Sequence, residues 1–179
     1  MLKMAALVCI FAVAAFLAYV ALKSADFRIT RSQSIKAPPD TVFALINDLH
    51  GFNRWSPFAL GDPAMKLDYS GPQTGKGAAY TWDSTGKIGK GRIAITESCA
   101  SSRVLMQLEF LKPMAATNTA EFTLASADAT TTVTWSMFGR NSYAYKLMGT
   151  IFNMDKMVGR EFETGLVSLK ALSERQHRN

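Results

Sequence analysis

The first pattern along the chain is an unbroken apolar run from Met4 to Leu22, with Lys3 before it and Lys23 after it. As a helix rising 1.5 Å per residue it spans about 28 Å, close to the hydrocarbon thickness of a bilayer. It has no polar face, unlike a helix that packs on a soluble core. The pattern then changes to alternation. Phe27, Ile29 and Ile35 fall on one side of an extended segment, and Arg28, Thr30, Ser32 and Ser34 on the other. Pro38-Pro39-Asp40 ends that strand and opens a short helix, with Val42, Phe43, Leu45 and Ile46 as its apolar face. This helix is expected to run to about Asp48, Gly51 to break it, and Phe52 to Trp55 to form a second short turn stopped by Pro57.

From Met65 onward the period is two. The inward rows read Met65, Leu67, Tyr69; then Ala78, Tyr80, Trp82; then Ile93, Ile95; then Val104, Met106, Leu108, Phe110. Ala116, Asn118, Ala120, Phe122 and Leu124 follow, and Val133, Trp135 and Met137 close the series. Glu109 and Glu121 fall on the outer, solvated face. Turns are marked by Gly71-Pro72 with Gly75 and Gly77, by Ser84-Thr85-Gly86-Lys87, by Ala100-Ser101-Ser102, by Lys112-Pro113 and by Ala127-Asp128-Ala129. Short connections imply antiparallel neighbours, and one-sided hydrophobicity implies a sheet covered on one face. The cover comes last. After Asn141-Ser142 the period turns helical to about Glu174, with Met148, Ile151, Phe152, Asp155, Val158, Phe162, Leu166 and Leu169 on one stripe. The expectation is one long C-terminal helix, with Gly149 or Gly159 at a bend or a close contact. The chain thus divides into an anchor (residues 1–26), one α+β domain (residues 27–174) and a polar tail (residues 175–179).

Composition changes this picture little. The 179 residues are 48% hydrophobic and 19% charged, with a net charge of +6. The basic residues are scattered rather than interleaved with aromatics, which argues against nucleic acid as a partner. Cys9 lies in the apolar run and Cys99 in the domain, so no disulfide framework is expected. Two histidines, His50 and His177, do not make a metal site, and no cofactor is called for. No Gly-x-Ser-x-Gly elbow and no His-Glu-x-x-His pair occur. Gly71 to Gly77 with Lys76 is a turn and not a phosphate loop.

Several stretches resemble one family. They are Ile35-Lys36-Ala37-Pro38-Pro39-Asp40-Thr41-Val42-Phe43, Trp55-Ser56-Pro57-Phe58 with Asp62-Pro63, Tyr69-Ser70-Gly71-Pro72 through Gly75 and Gly77, Asn118-Thr119-Ala120-Glu121-Phe122, and Asn153-Met154-Asp155-Lys156-Met157. Over residues 27–172 the chain resembles the SRPBCC, or START-like, superfamily in its bacterial polyketide cyclase/dehydrase and lipid-transport branch. The resemblance implies a helix-grip fold: a curved antiparallel sheet of six or seven strands round a long C-terminal helix, with two short helices after the first strand. It also implies a deep apolar cavity between sheet and helix.

The candidate pocket lining is Trp55, Phe58, Tyr80, Trp82, Met106, Phe110, Asn118, Phe122, Trp135, Met148, Phe152 and Asp155. Each large apolar member is equally readable as plain core. Met148, Met154 and Met157 would suit an adaptable wall. The resemblance places Trp55 to Phe58 at the cavity mouth. Asn118 and Asp155 are polar groups on apolar faces, able to orient a ligand's polar head. Otherwise Asn118 satisfies backbone, and Asp155 forms a rim ion pair with a lysine or arginine. The expected function is a membrane-tethered carrier or sensor of a lipid-like or other apolar small molecule. The alternatives are a cyclase/dehydratase-like enzyme, with Tyr80 and Asp155 as acid/base candidates, and an interaction module of the cell envelope. The uncleaved anchor, rather than a cleaved signal, is expected to cross a bacterial inner membrane once, with the domain on the periplasmic side. Oligomeric state is left open.

Overall fold

The computed structural model describes residues 1–86 and 88–178. Lys87 of the expected Ser84–Lys87 turn lies outside the described residues. The apolar run forms α1 (Leu2–Leu22), and β1 (Asp26–Ile35) follows after a short link. Three short helices come next: α2 (Pro39–Asn47), α3 (Leu49–Asn53) and α4 (Pro57–Leu60). The meander is β2 (Lys66–Ser70), β3 (Ala79–Asp83), β4 (Lys90–Cys99), β5 (Arg103–Lys112), β6 (Ala116–Ala127) and β7 (Thr130–Arg140). Two helices end the chain, α5 (Tyr143–Ile151) and α6 (Met154–Arg178).

Four boundaries differ from the sequence reading. The first short helix ends at Asn47, next to its expected end at about Asp48, but the second begins at Leu49 and not at Phe52. The Asp48 side chain accepts from the His50 N–H and starts α3, which contains Gly51. Pro57 does not stop a helix but opens one, its fixed φ suiting the first helical position. Most important, the C-terminal helix is two helices. Phe152 is extended, with φ −112° and ψ 138°. Asn153 then takes the N-cap role: its Oδ1 accepts from the Lys156 N–H at 2.9 Å. The last helix also continues through the expected polar tail to Arg178.

The seven strands are ordered β1-β7-β6-β5-β4-β3-β2, and every pairing is antiparallel. The meander therefore runs unbroken from β2 to β7, and β1 adds beside β7. Register shifts in β4 at Lys90/Gly91 and Ile95/Glu97 increase the local bend. On the outer face Glu121 is not merely solvated: it accepts from Arg103 Nε at 2.9 Å and lies 3.7 Å from Arg28.

The concave face has a solid end and a hollow end. At the solid end α2, α3 and α6 meet the sheet, and Ile35, Val42, Ile46, Val104, Phe122, Leu166 and Leu169 are all fully buried. Trp55 is fully buried there too, its indole N–H donating to the Leu45 carbonyl at 3.0 Å. Phe162 of α6 stacks on Trp135 of β7, ring centroids 4.0 Å apart at 9°. Trp135 also meets Phe122, Trp55, Phe52 and Phe58 edge-on or tilted. Each such pair adds about 0.5–1.5 kcal/mol beyond area burial. Toward the start of β1 the inner rows change. Phe27, Leu108, Phe110, Asn118 and Met137 are only half-buried, although they point the same way as their buried row-mates.

A clasp holds the far end of α6. Glu174 accepts from the Lys36 backbone N–H at 2.8 Å and from Lys170 Nζ at 2.9 Å, while Lys170 also donates to the Ser34 carbonyl. The Lys170 ammonium, helped by the Lys36 N–H, holds the Glu174 carboxyl below its ordinary value of 4.5. A depressed folded pKa means the stabilisation is complete above that ordinary value and is lost as the pH falls through the folded one. Glu174→Gln is expected to reduce the difference between thermal unfolding midpoints at about pH 6 and about pH 3, with the full chain held in detergent.

A second prediction concerns the β4 bend. A Cβ on Gly91 would collide with the Glu109 carbonyl and the Trp82 indole. The indole lies over the space that Gly91 leaves. Gly91→Val is expected to cost about 2 kcal/mol or more. That corresponds to a melting-point loss of about 4–8 °C in a calorimetric scan.

Candidate functional site: an apolar cavity between sheet and helices

The hollow end encloses a cavity of about 920 Å³, at the large end of the range of small-molecule sites. Its sheet wall comes from β1 and β3–β7, its other wall from α5, the 152–153 break and the start of α6, and its inner end from Phe52, Phe58 and Phe162. The cavity exists because of what the sequence leaves small or short. On β6 the inner row carries Ala116, Asn118 and Ala120 before Phe122, and Gly139 faces Asn118 across the β6–β7 ladder. On the helical side, α5 buries no residue in the domain.

Ten of the twelve residues expected from sequence share this wall: Phe58, Tyr80, Trp82, Met106, Phe110, Asn118, Phe122, Trp135, Phe152 and Asp155. Two do not. Trp55 is packed behind Trp135 and Phe122 in the solid core, so its segment reaches the cavity only through Phe58, at the inner end and not at the mouth. Met148 is on α5 but outside the wall, because the helix break turns its stripe away from that of α6; Tyr145, Lys146 and Gly149 face the cavity instead. The mouth is marked by wall residues that are solvent-exposed: Lys23, Ser24, Pro113, Gly149 and Ile151 to Asn153.

The two polar candidates behave differently. Asp155 is engaged. Its carboxylate accepts from Arg31 Nη1 and Nη2 at 3.3 and 3.1 Å, and its carbonyl accepts from Nη2 at 3.1 Å. Arg31 Nε donates to Glu163 at 2.7 Å, and Nη1 also reaches the Thr30 carbonyl. The hydrogen bonds that Arg31 donates to Asp155 and Glu163 raise its pKa further above its already high value. Gly159 makes room: any Cβ there would strike the guanidinium. Sequence reasoning missed Arg31, yet it stands on the inward row with Phe27 and Ile29. Asp155, Gly159 and Glu163 stand at i, i+4 and i+8 on the facing helix. Asn118, by contrast, lines the cavity with no side-chain hydrogen bond among the described residues.

Tyr80 is 6% exposed, and burial pushes its phenol well above the ordinary value of 10. It stays protonated in the neutral range and acts as a hydrogen-bond donor, not as a base. Leu108, Met137, Val158 and Phe162 complete the wall without having been singled out as site residues. Their signal was only membership of an inward row or stripe. Among the described residues, no cluster of three or more His, Cys, Asp or Glu side chains is placed to hold a metal ion.

A cavity changes the usual rule for enlarging core side chains. Ala120 is 3% exposed but borders empty space. Ala120→Leu is expected to change unfolding free energy by less than about 1 kcal/mol, where a filled core would lose about 1–3. Denaturant titration of the full chain checks this.

The fold recurs among solved structures. A Chromobacterium violaceum protein superposes with a TM-score of 0.60 at 14% identity, over 82% of this chain and 96% of that one. A Thermobifida fusca protein gives 0.61 at 21%, over 83% and 93%. A Nitrosospira multiformis protein gives 0.56 at 20%, over 86% and 100%. No curated protein matches the sequence. The family model described as polyketide cyclase / dehydrase and lipid transport matches residues 26–174, the whole of the sheet and nearly all of α6. With that match and this helix-grip architecture, the chain belongs to the polyketide cyclase/dehydrase and lipid transport family of the SRPBCC superfamily.

Proposed function

We propose that this protein is a membrane-tethered binding domain for a lipid-like or other apolar small molecule, carried in the cavity. The observation that carries the reading is the cavity itself: about 920 Å³ of space inside one domain, walled mainly by aromatic and aliphatic side chains. The wall is mainly apolar, and a bound apolar molecule takes that surface out of contact with water. Asn118 supplies a free amide for one polar group of the ligand, and the Tyr80 hydroxyl a donor deeper in the wall.

The tether rests on α1, which is long and apolar enough to cross a bilayer and is solvent-exposed along nearly its whole length. As an uncleaved single-pass anchor it holds the pocket beside a reservoir of apolar molecules, with the domain on the periplasmic side of an inner membrane. Catalysis of the cyclase/dehydratase kind has less support, because Asp155 is tied to Arg31.

The test is native mass spectrometry of the full chain released from host membranes in detergent. A reproducible bound mass of lipid-like composition is expected, and it should disappear in Ala120→Trp, which fills the cavity. A chain that is repeatedly empty, and that takes up no fluorescent fatty-acid probe, would end the proposal.

A further inference from the structure

We infer that α5 lies in the membrane interface and that the cavity mouth opens into the lipid leaflet rather than into water. This rests on the reading of α1 as a membrane anchor and deepens it: the partner surface of the domain is the bilayer that α1 crosses.

Three observations point there. First, α5 is physically fixed to the end of α1. Lys146 Nζ donates to the carbonyls of Ala21 and Lys23, at 2.7 and 2.9 Å, and the Tyr143 hydroxyl donates to the Leu17 carbonyl at 3.0 Å. Helix α1 has no basic residue in its own last turn. Lys146 supplies that missing cation from α5, where it meets the negative end of the helix dipole.

Second, the depth follows from the contact. Leu17 is five residues before the end of α1, about 8 Å along its axis. If α1 spans the bilayer, Tyr143 sits below the level where the helix emerges. That matches the about 5–10 Å to which interfacial amphipathic helices sink.

Third, α5, the break after it and the start of α6 keep apolar surface outside the domain. No residue of α5 is fully buried, although Tyr145 to Met148 are half-buried and the Tyr145 hydroxyl donates to the Met114 carbonyl at 3.1 Å. Tyr143 is 44% exposed, Ile151 62%, Phe152 54% and Met157 56%. Lys23, Lys146 and two tyrosines among these apolar side chains are the residues that anchor at the water–lipid boundary. Ile151 and Phe152 are at once exposed and part of the mouth. A leaflet that covers them meets the cavity directly, and an apolar ligand passes from lipid to pocket without crossing water.

The experiment uses the full chain with Cys9→Ser and Cys99→Ser, reconstituted in vesicles of phosphatidylcholine and phosphatidylglycerol that carry shallow acyl-chain nitroxide lipids. Single cysteines at Val8, Ile151, Met157 and Asp128 bear a small fluorophore. Asp128 is the control, in the β6–β7 hairpin about 33 Å along the strands from the start of β1. Nitroxide quenching at Ile151 and Met157 is expected to exceed that at Asp128 by about threefold or more, alongside quenching at Val8. Quenching at Val8 with Ile151 and Met157 no different from Asp128 would overturn this inference and leave the anchor standing. No quenching at Val8 would overturn both. If Ile151 and Met157 are shielded instead by a second copy, seen as concentration-dependent self-quenching in lipid without nitroxide, the surface belongs to a dimer and the inference fails.

Discussion

The stack of Phe162 on Trp135 is the contact on which the rest of the domain depends. It fixes how close α6 comes to the sheet, and it does so at one point along the helix. C-terminal to it, Leu166 and Leu169 close against Val42, Ile46 and Ile35, and nothing is left open. N-terminal to it, the helix is held off by a polar spacer. Arg31 spends its five N–H donors on Asp155, Glu163 and nearby carbonyls and so bridges β1 to the first turns of α6. One end is drawn in by aromatic contact and the other is propped by a guanidinium, and the space between them is the cavity.

This division explains why the same inward pattern on every strand gives two different environments. Phe122 and Met106 are fully buried, while Asn118 and Phe110, on the same rows, are half-buried against empty space. The difference lies both in the small residues of β6 and β7, from Ala116 to Ala120 and at Gly139, and in what faces the strands. Helix α5 turns away at Phe152, toward α1, and stands across the cavity from the sheet, touching the domain through the Tyr145 hydroxyl on the Met114 carbonyl. The chain breaks its last helix where a filled core would have needed it continuous.

Most of the fold was legible in the sequence because its period is strict. Rows such as Val104, Met106, Leu108 and Phe110 have only one register that buries them. The helix break was less legible: Ile151, Phe152 and Asp155 keep a 3.6-residue stripe across it, and only the capping asparagine at 153 marks it. Of the ten wall residues, seven stood on alternating strand rows, Phe152 and Asp155 on the helical stripe, and Phe58 in the Trp55–Phe58 segment that the family resemblance picked out. Trp55 and Met148 were not told apart from them, since burial and cavity lining look alike in a sequence and differ only in whether a neighbour arrives. Arg31 was missed because alternation read it as one more strand charge. Its partners come from a helix more than a hundred residues away.

The sheet itself never closes. Its edges are β1, covered by α6, and β2, five residues long with Lys66 and Asp68 turned outward. A closed barrel has a diameter fixed by its number of strands and their stagger. A curled sheet with two free edges has no such condition. The width of the chamber is therefore set by the packing of α6 and by the bends in β4, and not by a count of strands.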